Sequence, residues 1–309
     1  MMGKINYKEI VSQYPWIIKK DRCAVISPDT DGFLCGLFMS NYLNWRVVGF
    51  YDGKILRIKR NISVKDCVFL DIEIFRKDVN SVGHHMNLHN INNPPSNYHQ
   101  IMKNCINPNY IRQFDRAHNF PQKYPLGSIH LLFFIIDNTY DNLAKIKKEG
   151  LGAIFFADGI WKILFKYTNN FLDWFQFLDV GERSDWWKKL QEISVIDLIK
   201  EIDTLINELK NIHPENKKWY GHIDISNLEN QKQLLFPFLN FLSELTGWNF
   251  ESENWIIDKL ETYKFTKKIY TGTRSNETFL NIWNKKPLSL AMTEGSTIQY
   301  TLEGPDKIP

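Results

Sequence analysis

Hydrophobic positions in the first half of the chain come in short uninterrupted runs separated by helix-like stretches. Residues 23–27 form one such run, followed by Pro28-Asp29-Thr30-Asp31-Gly32 and a helical pattern over 33–43. Residues 46–51 predict a second strand, closed by the turn dipeptide Asp52-Gly53. A third strand is expected over 67–74 (Cys-Val-Phe-Leu-Asp-Ile-Glu-Ile) and a fourth over 79–84. Runs that are apolar throughout belong in a mainly parallel sheet sandwiched by helices, so the fold class is α/β. Between them, Lys54, Arg57, Lys59 and Arg60 alternate with Ile55, Leu56 and Ile58. That alternation fits a strand with one solvated face; a phosphate-binding patch is the alternative.

The polar, Asn- and Pro-rich segment 87–124 reads as a long loop, and helical patterns resume at 126–136, 141–148 and 152–167. Val195, Leu198, Ile199, Ile202, Leu205, Ile206, Leu209 and Ile212 then recur at the spacing of one long amphipathic helix, ending near His213-Pro214. Beyond it, helices are expected over 231–245 and 255–263, and strands near 288–292 and 296–302 around Thr293-Glu294-Gly295. The pattern suggests a first domain over 1–185, a connecting helix over 186–213 and a smaller α+β domain over 214–309.

At 309 residues, 43 % hydrophobic and 24 % charged, the composition is that of an ordinary globular chain rather than a disordered one. No apolar run reaches the ~18 residues of a membrane helix, and the first residues lack the apolar stretch of a secretory signal. Cys23, Cys35, Cys67 and Cys105 show no Cys-x-x-Cys spacing, which argues against a zinc ribbon or disulfide framework and leaves the cytoplasm as the default location. A net charge of +3 is too mild to indicate a dedicated nucleic-acid binder.

Chemistry-bearing residues follow separate apolar runs, where an α/β sheet places ligands. Asp29 and Asp31 follow the first run, Asp71 sits inside Phe-Leu-Asp-Ile-Glu, His84 and His85 close the fourth, and Asp158 follows 153–157. Each has a plain alternative. Asp-x-Asp-Gly is a common turn and helix cap, a strand-end carboxylate commonly pairs with lysine, and neighbouring histidines on a strand face opposite ways. Jointly, hard oxygen donors with an imidazole suit Mn²⁺ or Mg²⁺.

In order and spacing this set resembles the DHH phosphoesterase superfamily, most closely its RecJ-like nucleases, over approximately residues 23–167. Ser27-Pro28-Asp29-Thr30-Asp31-Gly32 is similar to the first motif, Asp71 to the lone aspartate of the second, Gly83-His84-His85 to Asp-His-His, and Ile106-Asn107-Pro108-Asn109 to the Val-Asn-Pro-Asn stretch. Lys123-Tyr124-Pro125-Leu126-Gly127-Ser128 occupies the place of a small-residue helix start, and Phe156-Ala157-Asp158-Gly159 resembles the fourth motif. The resemblance implies a metal-dependent phosphodiesterase holding two Mn²⁺ or Mg²⁺ ions. Asp29 would bind the first, Asp31 the second and Asp71 both, with His84 and Asp158 completing the second site. His85 would face the phosphate, making Asp71, His84 and His85 the catalytic set. Asn107, Lys123 and Arg274 join His85 as substrate-binding candidates. The implied partner is a single-stranded or short oligonucleotide, or a small nucleotide. No membrane partner is implied, and a homo-oligomer is compatible.

The chain departs from that pattern in three places. Gly83 replaces the aspartate before the histidines, Val25 and Ser27 stand where an additional upstream ligand is usual, and no Gly-Gly-x-His motif is present. The comparable element, Thr271-Gly272-Thr273-Arg274-Ser275-Asn276, offers Arg274 as a phosphate clamp or a solvated turn residue. These departures motivate an alternative, a catalytically degenerate binding or scaffold protein. A third reading is a structural α/β protein whose carboxylates are salt-bridged.

Overall fold

The computed structural model describes residues 3–181, 184–212, 221–272 and 275–309. Arg274 and the expected helix end at His213-Pro214 lie outside the described residues.

The apolar runs fold as strands β1 (Cys23–Ile26), β2 (Arg46–Tyr51), β3 (Ile55–Lys59), β4 (Cys67–Leu70), β5 (Asn80–Val82) and β6 (Cys105–Ile106). The C-terminal part adds β7 (Leu260–Thr271), β8 (Ser289–Glu294) and β9 (Thr297–Glu303). Among the described residues these join in a nine-stranded sheet of order β6-β5-β4-β1-β2-β3-β7-β9-β8. The protein is therefore α/β, but its sheet is mixed rather than mainly parallel. The pairs β1·β4, β4·β5 and β5·β6 are parallel, whereas β2·β3, β3·β7, β7·β9 and β8·β9 are antiparallel.

The antiparallel part arises from local turns. Asp52 accepts from the N–H groups of Lys54 and Ile55 at 2.7 Å each, and Gly53 takes φ 86°, closing the β2–β3 hairpin. Segment 255–263, expected to be helical, instead runs into β7. Lys259 turns the chain at φ 56°, and the run that follows is rich in Thr, Tyr, Phe and Ile, which suit a pleated, half-buried surface. On β3, Lys59 is exposed but Arg57 is only 6 % exposed, so the expected solvated face does not include it.

Two compact units emerge, each discontinuous in sequence. One comprises Met1–Arg22, Pro28–Val47 and Pro125–Ile257; the other comprises Cys23–Ser27, Val48–Tyr124 and Asp258–Pro309. Both boundaries suggested by the sequence, near 185 and 213, fall inside the first unit. The second unit holds nearly all of the sheet. Segment 87–124, expected as a loop, also carries β6 and the short helices Tyr98–Met102, Pro108–Ile111 and Arg116–Asn119.

The first unit is helical. Its Thr30–Leu43 helix is buried from Thr30 to Ser40, with Phe33 against Phe238 and Trp255, and Phe38 against Phe133 and Trp248. The periodic stretch forms the helix Val195–Ile212 as expected. It packs on Gly150–Phe156 so closely that a Cβ on Gly152 would lie 2.5 Å from the Glu201 Cβ. No helix forms over 141–148. The Ser128–Thr139 helix stops because Asp141 and Asn142 both take positive φ, 50° and 65°, which a right-handed helix does not accommodate. Among the described residues no helix is long and apolar enough to cross a membrane.

Two expected outcomes concern this unit. Gly152→Val should lower stability by about 1–3 kcal/mol in urea denaturation, because neither helix backbone can recede without repacking. Burial pushes the Asp137 carboxyl from 3.8 up to about 6, only partly offset by Ser184, Lys145 and the Ala144 amide. A carboxyl with a raised folded pKa holds its proton more tightly when folded, so its contribution should weaken the fold as pH rises from about 4 through about 6. Asp137→Asn should flatten that part of the stability-versus-pH curve and raise the melting temperature at pH 7.5.

Candidate metal centre

Parallel strands β1, β4, β5 and β6 end on the same sheet edge, and each end delivers a polar residue: Ser27, Asp71, His84 and Asn107. Strand β4 stops at Leu70 because Asp71 takes φ 66°, a left-handed conformation that costs a non-glycine residue about 1–3 kcal/mol. Two partners meet its buried side chain. Ser27 Oγ donates to Asp71 Oδ2 at 2.7 Å, and His84 Nδ1 lies 3.2 Å from Asp71 Oδ1. The His84 side chain is 11 % exposed, and its carbonyl accepts from Asn109 Nδ2 at 2.8 Å.

Two residues along, Glu73 repeats the arrangement with the second histidine. Its Oε1 accepts the His85 backbone N–H at 2.7 Å, and its Oε2 lies 3.3 Å from His85 Nδ1. The imidazoles of His84 and His85 stack, with centroids 4.4 Å apart and planes inclined by 26°. Neighbouring histidines thus share a side here, since β5 has ended at Val82 and strand alternation no longer applies. The Glu73 charge reaches Cys105, whose thiol is pushed well up, first by burial and then by that carboxylate.

Asn107 braces this arrangement from below. It is fully buried; its Nδ2 donates to Glu73 Oε1 and to the His85 carbonyl at 2.8 Å each, and its Oδ1 accepts from Asn109 N at 2.9 Å. Asn107, a substrate-binding candidate from the sequence, thus spends its amide on the protein's own groups and exposes no surface. Lys123, the other described candidate of that kind, donates to the Thr293 carbonyl at 2.8 Å and lies 4.8 Å from the Phe120 ring centre.

In the helical unit, Asp29 and Asp31 take different roles. Asp29 caps the Thr30–Leu43 helix, its side chain accepting from Gly32 N at 3.0 Å. Asp31, 1 % exposed, caps a second helix from a distance: its oxygens accept from Ser128 N at 2.6 Å and Ile129 N at 2.9 Å. That helix has glycine at its N-cap, and a Cβ on Gly127 would sit 2.7 Å from Asp31 Oδ2. The glycine provides room, and the helix N-terminus favours a negative charge. Asp158 is exposed, at φ 52°, in the turn between the helices Gly150–Phe156 and Ile160–Lys166.

Carboxylate oxygens and imidazole nitrogens are the donor types that suit a hard divalent ion. Sequence reasoning missed Glu73 and the role of Ser27. Glu73 carried a signal: a second carboxylate two residues after Asp71 in an apolar run must also find a partner. No protein-family model, curated protein or solved structure matches this chain.

Ser27→Ala should cost about 1–3 kcal/mol of stability at pH 7, since it removes a buried donor from a strained carboxylate. Urea denaturation at pH 7 measures this; an unchanged midpoint would show that Asp71 finds other partners.

Proposed function

We propose that this chain is a divalent-metal-dependent phosphoesterase, acting on phosphodiester bonds of short or single-stranded nucleic acid or of a nucleotide. The observation that carries the reading is the pairing, at one sheet edge, of two buried carboxylates with two imidazoles: Asp71 Oδ1 lies 3.2 Å from His84 Nδ1 and Glu73 Oε2 lies 3.3 Å from His85 Nδ1. Carboxylate and imidazole donors are the types that suit a hard divalent ion. The order of Asp29, Asp31, Asp71, His84 and Asp158 along the chain, which resembles the DHH phosphoesterases, supports phosphoester chemistry over another use of the ion.

By that resemblance, Asp31, Asp71, His84 and Asp158 would hold the ion. Bound there, Mn²⁺ or Mg²⁺ supplies Lewis acidity toward phosphoryl oxygens and a nucleophile at neutral pH. The remaining steps belong to the chain. Ser27 fixes the Asp71 carboxylate, and Asn109 fixes the backbone of His84. His85, its side chain 32 % exposed and its Nδ1 on Glu73, presents Nε2 as the nitrogen left for a phosphoryl or leaving oxygen. A second ion, as in the resembled family, would draw on Asp29, whose carboxylate caps a helix.

A second reading, retention of a metal or nucleotide without turnover, is favoured by the commitment of Asn107 and Lys123 to the protein's own groups. Calorimetric titration with Mn²⁺ and an assay on bis(p-nitrophenyl) phosphate and a short labelled oligonucleotide separate the two. The phosphoesterase reading expects at least one tight Mn²⁺ per chain and Mn²⁺-dependent cleavage, with Asp71→Ala reducing both to background. Mn²⁺ binding without cleavage of any substrate supports the second reading. A chain that binds no divalent ion overturns the phosphoesterase reading and the metal-retaining form of the second.

A further inference from the structure

Position 83 is where the resembled Asp-His-His motif carries an aspartate and this chain has none. The space is nevertheless filled. A Cβ built on Gly83 would lie 2.4 Å from Glu73 Cδ, 2.6 Å from Oε1 and 2.8 Å from Oε2. The Glu73 carboxylate thus occupies the volume into which a side chain at position 83 would project. No positive φ is involved at Gly83, so the requirement for glycine is one of room.

We propose that Glu73 is the positioning residue for His85, supplying from the end of β4 the carboxylate that position 83 lacks. Its catalytic consequence rests on the phosphoesterase reading; the placement of His85 does not. The frame is fixed by backbone hydrogen bonds on both sides, Ile72 N to the Val82 carbonyl at 2.9 Å and Gly83 N to the Ile106 carbonyl at 3.1 Å. Within it Glu73, 3 % exposed, grips His85 by backbone N–H and by ring, while Asn107 holds the same Oε1 from the opposite side. A side chain at position 83 would displace the Glu73 carboxylate from the place where it holds His85. Glycine at 83 is the counterpart of glutamate at 73, and the pair acts as one unit.

Relocation of the carboxylate tests this. Glu73→Gln, Glu73→Ala, Gly83→Asp and the double variant Glu73→Ala/Gly83→Asp are compared in full-length protein. Readouts are the ring ¹⁵N and ¹H resonances of His85, assigned with a His85→Gln control, and Mn²⁺-dependent cleavage of bis(p-nitrophenyl) phosphate. The His85 resonances should move in Glu73→Gln and in both other single variants, and return toward wild type in the double. Cleavage should fall about 10–100-fold in each single variant and recover in the double, as for a residue that orients an active group. A purely structural glutamate would leave the His85 ring resonances of Glu73→Gln in place, which overturns the proposal. So does a folded double variant no closer to wild type than the worse single one. Should wild-type protein cleave nothing, the phosphoesterase reading fails while the resonances still decide the role of Glu73. Should Glu73→Ala or Gly83→Asp not fold, the near-isosteric Glu73→Gln decides alone.

Discussion

Two carboxylates, Asp71 and Glu73, are buried two residues apart where β4 ends, and much of the surrounding chain serves to satisfy them. A carboxylate removed from water without partners is costly, so each needs explicit donors. Ser27 arrives from β1, the two histidines from the end of β5, and Asn107 from the end of β6. Their convergence needs these strands parallel and in register, which the pairs β1·β4, β4·β5 and β5·β6 provide. The short strand β6 contributes little sheet of its own. Its value lies in placing Asn107 beneath the histidines.

Legibility from sequence followed the range of the forces involved. Strands β1, β2, β4 and β5, the Val195–Ile212 helix and the β8–β9 hairpin were readable because their signals are local: apolar runs, helical period, and a Glu-Gly turn. Parallel and antiparallel pairing was not, because the same run of Val, Ile and Phe serves either, and β7 shows its strand character only as the partner of β3 and β9. The segment over 141–148 failed for a different reason: the positive φ at Asp141 and Asn142 overrides a plausible helical period.

At the site, residue types were legible and their partners were not. The spacing of Asp29 and Asp31 allowed both to act together, yet one caps its own helix and the other reaches the start of a helix nearly a hundred residues away. Asn107 entered as a substrate-binding candidate only through the resemblance of Ile106-Asn107-Pro108-Asn109 to a known stretch, which says nothing of its partners. It caps Pro108–Ile111 and is buried. Both site glycines, Gly83 and Gly127, carry information that only coordinates reveal, since each leaves space that a carboxylate from another strand or helix fills.

That last point bears on how a departure from a motif is interpreted. Counted position by position, glycine at 83 looks like the loss of a functional carboxylate, and such a loss argues for a chain that has given up catalysis. Counted by volume, a carboxylate stands beside position 83, delivered by Glu73 from just past the end of β4 and held against His85. A motif records which side chain fills a space only while the backbone supplying it stays the same. Gly83 therefore weighs less against the enzyme reading than the sequence suggests. The weightier argument against turnover lies elsewhere, in Asn107 and Lys123, whose polar groups are occupied by the protein itself.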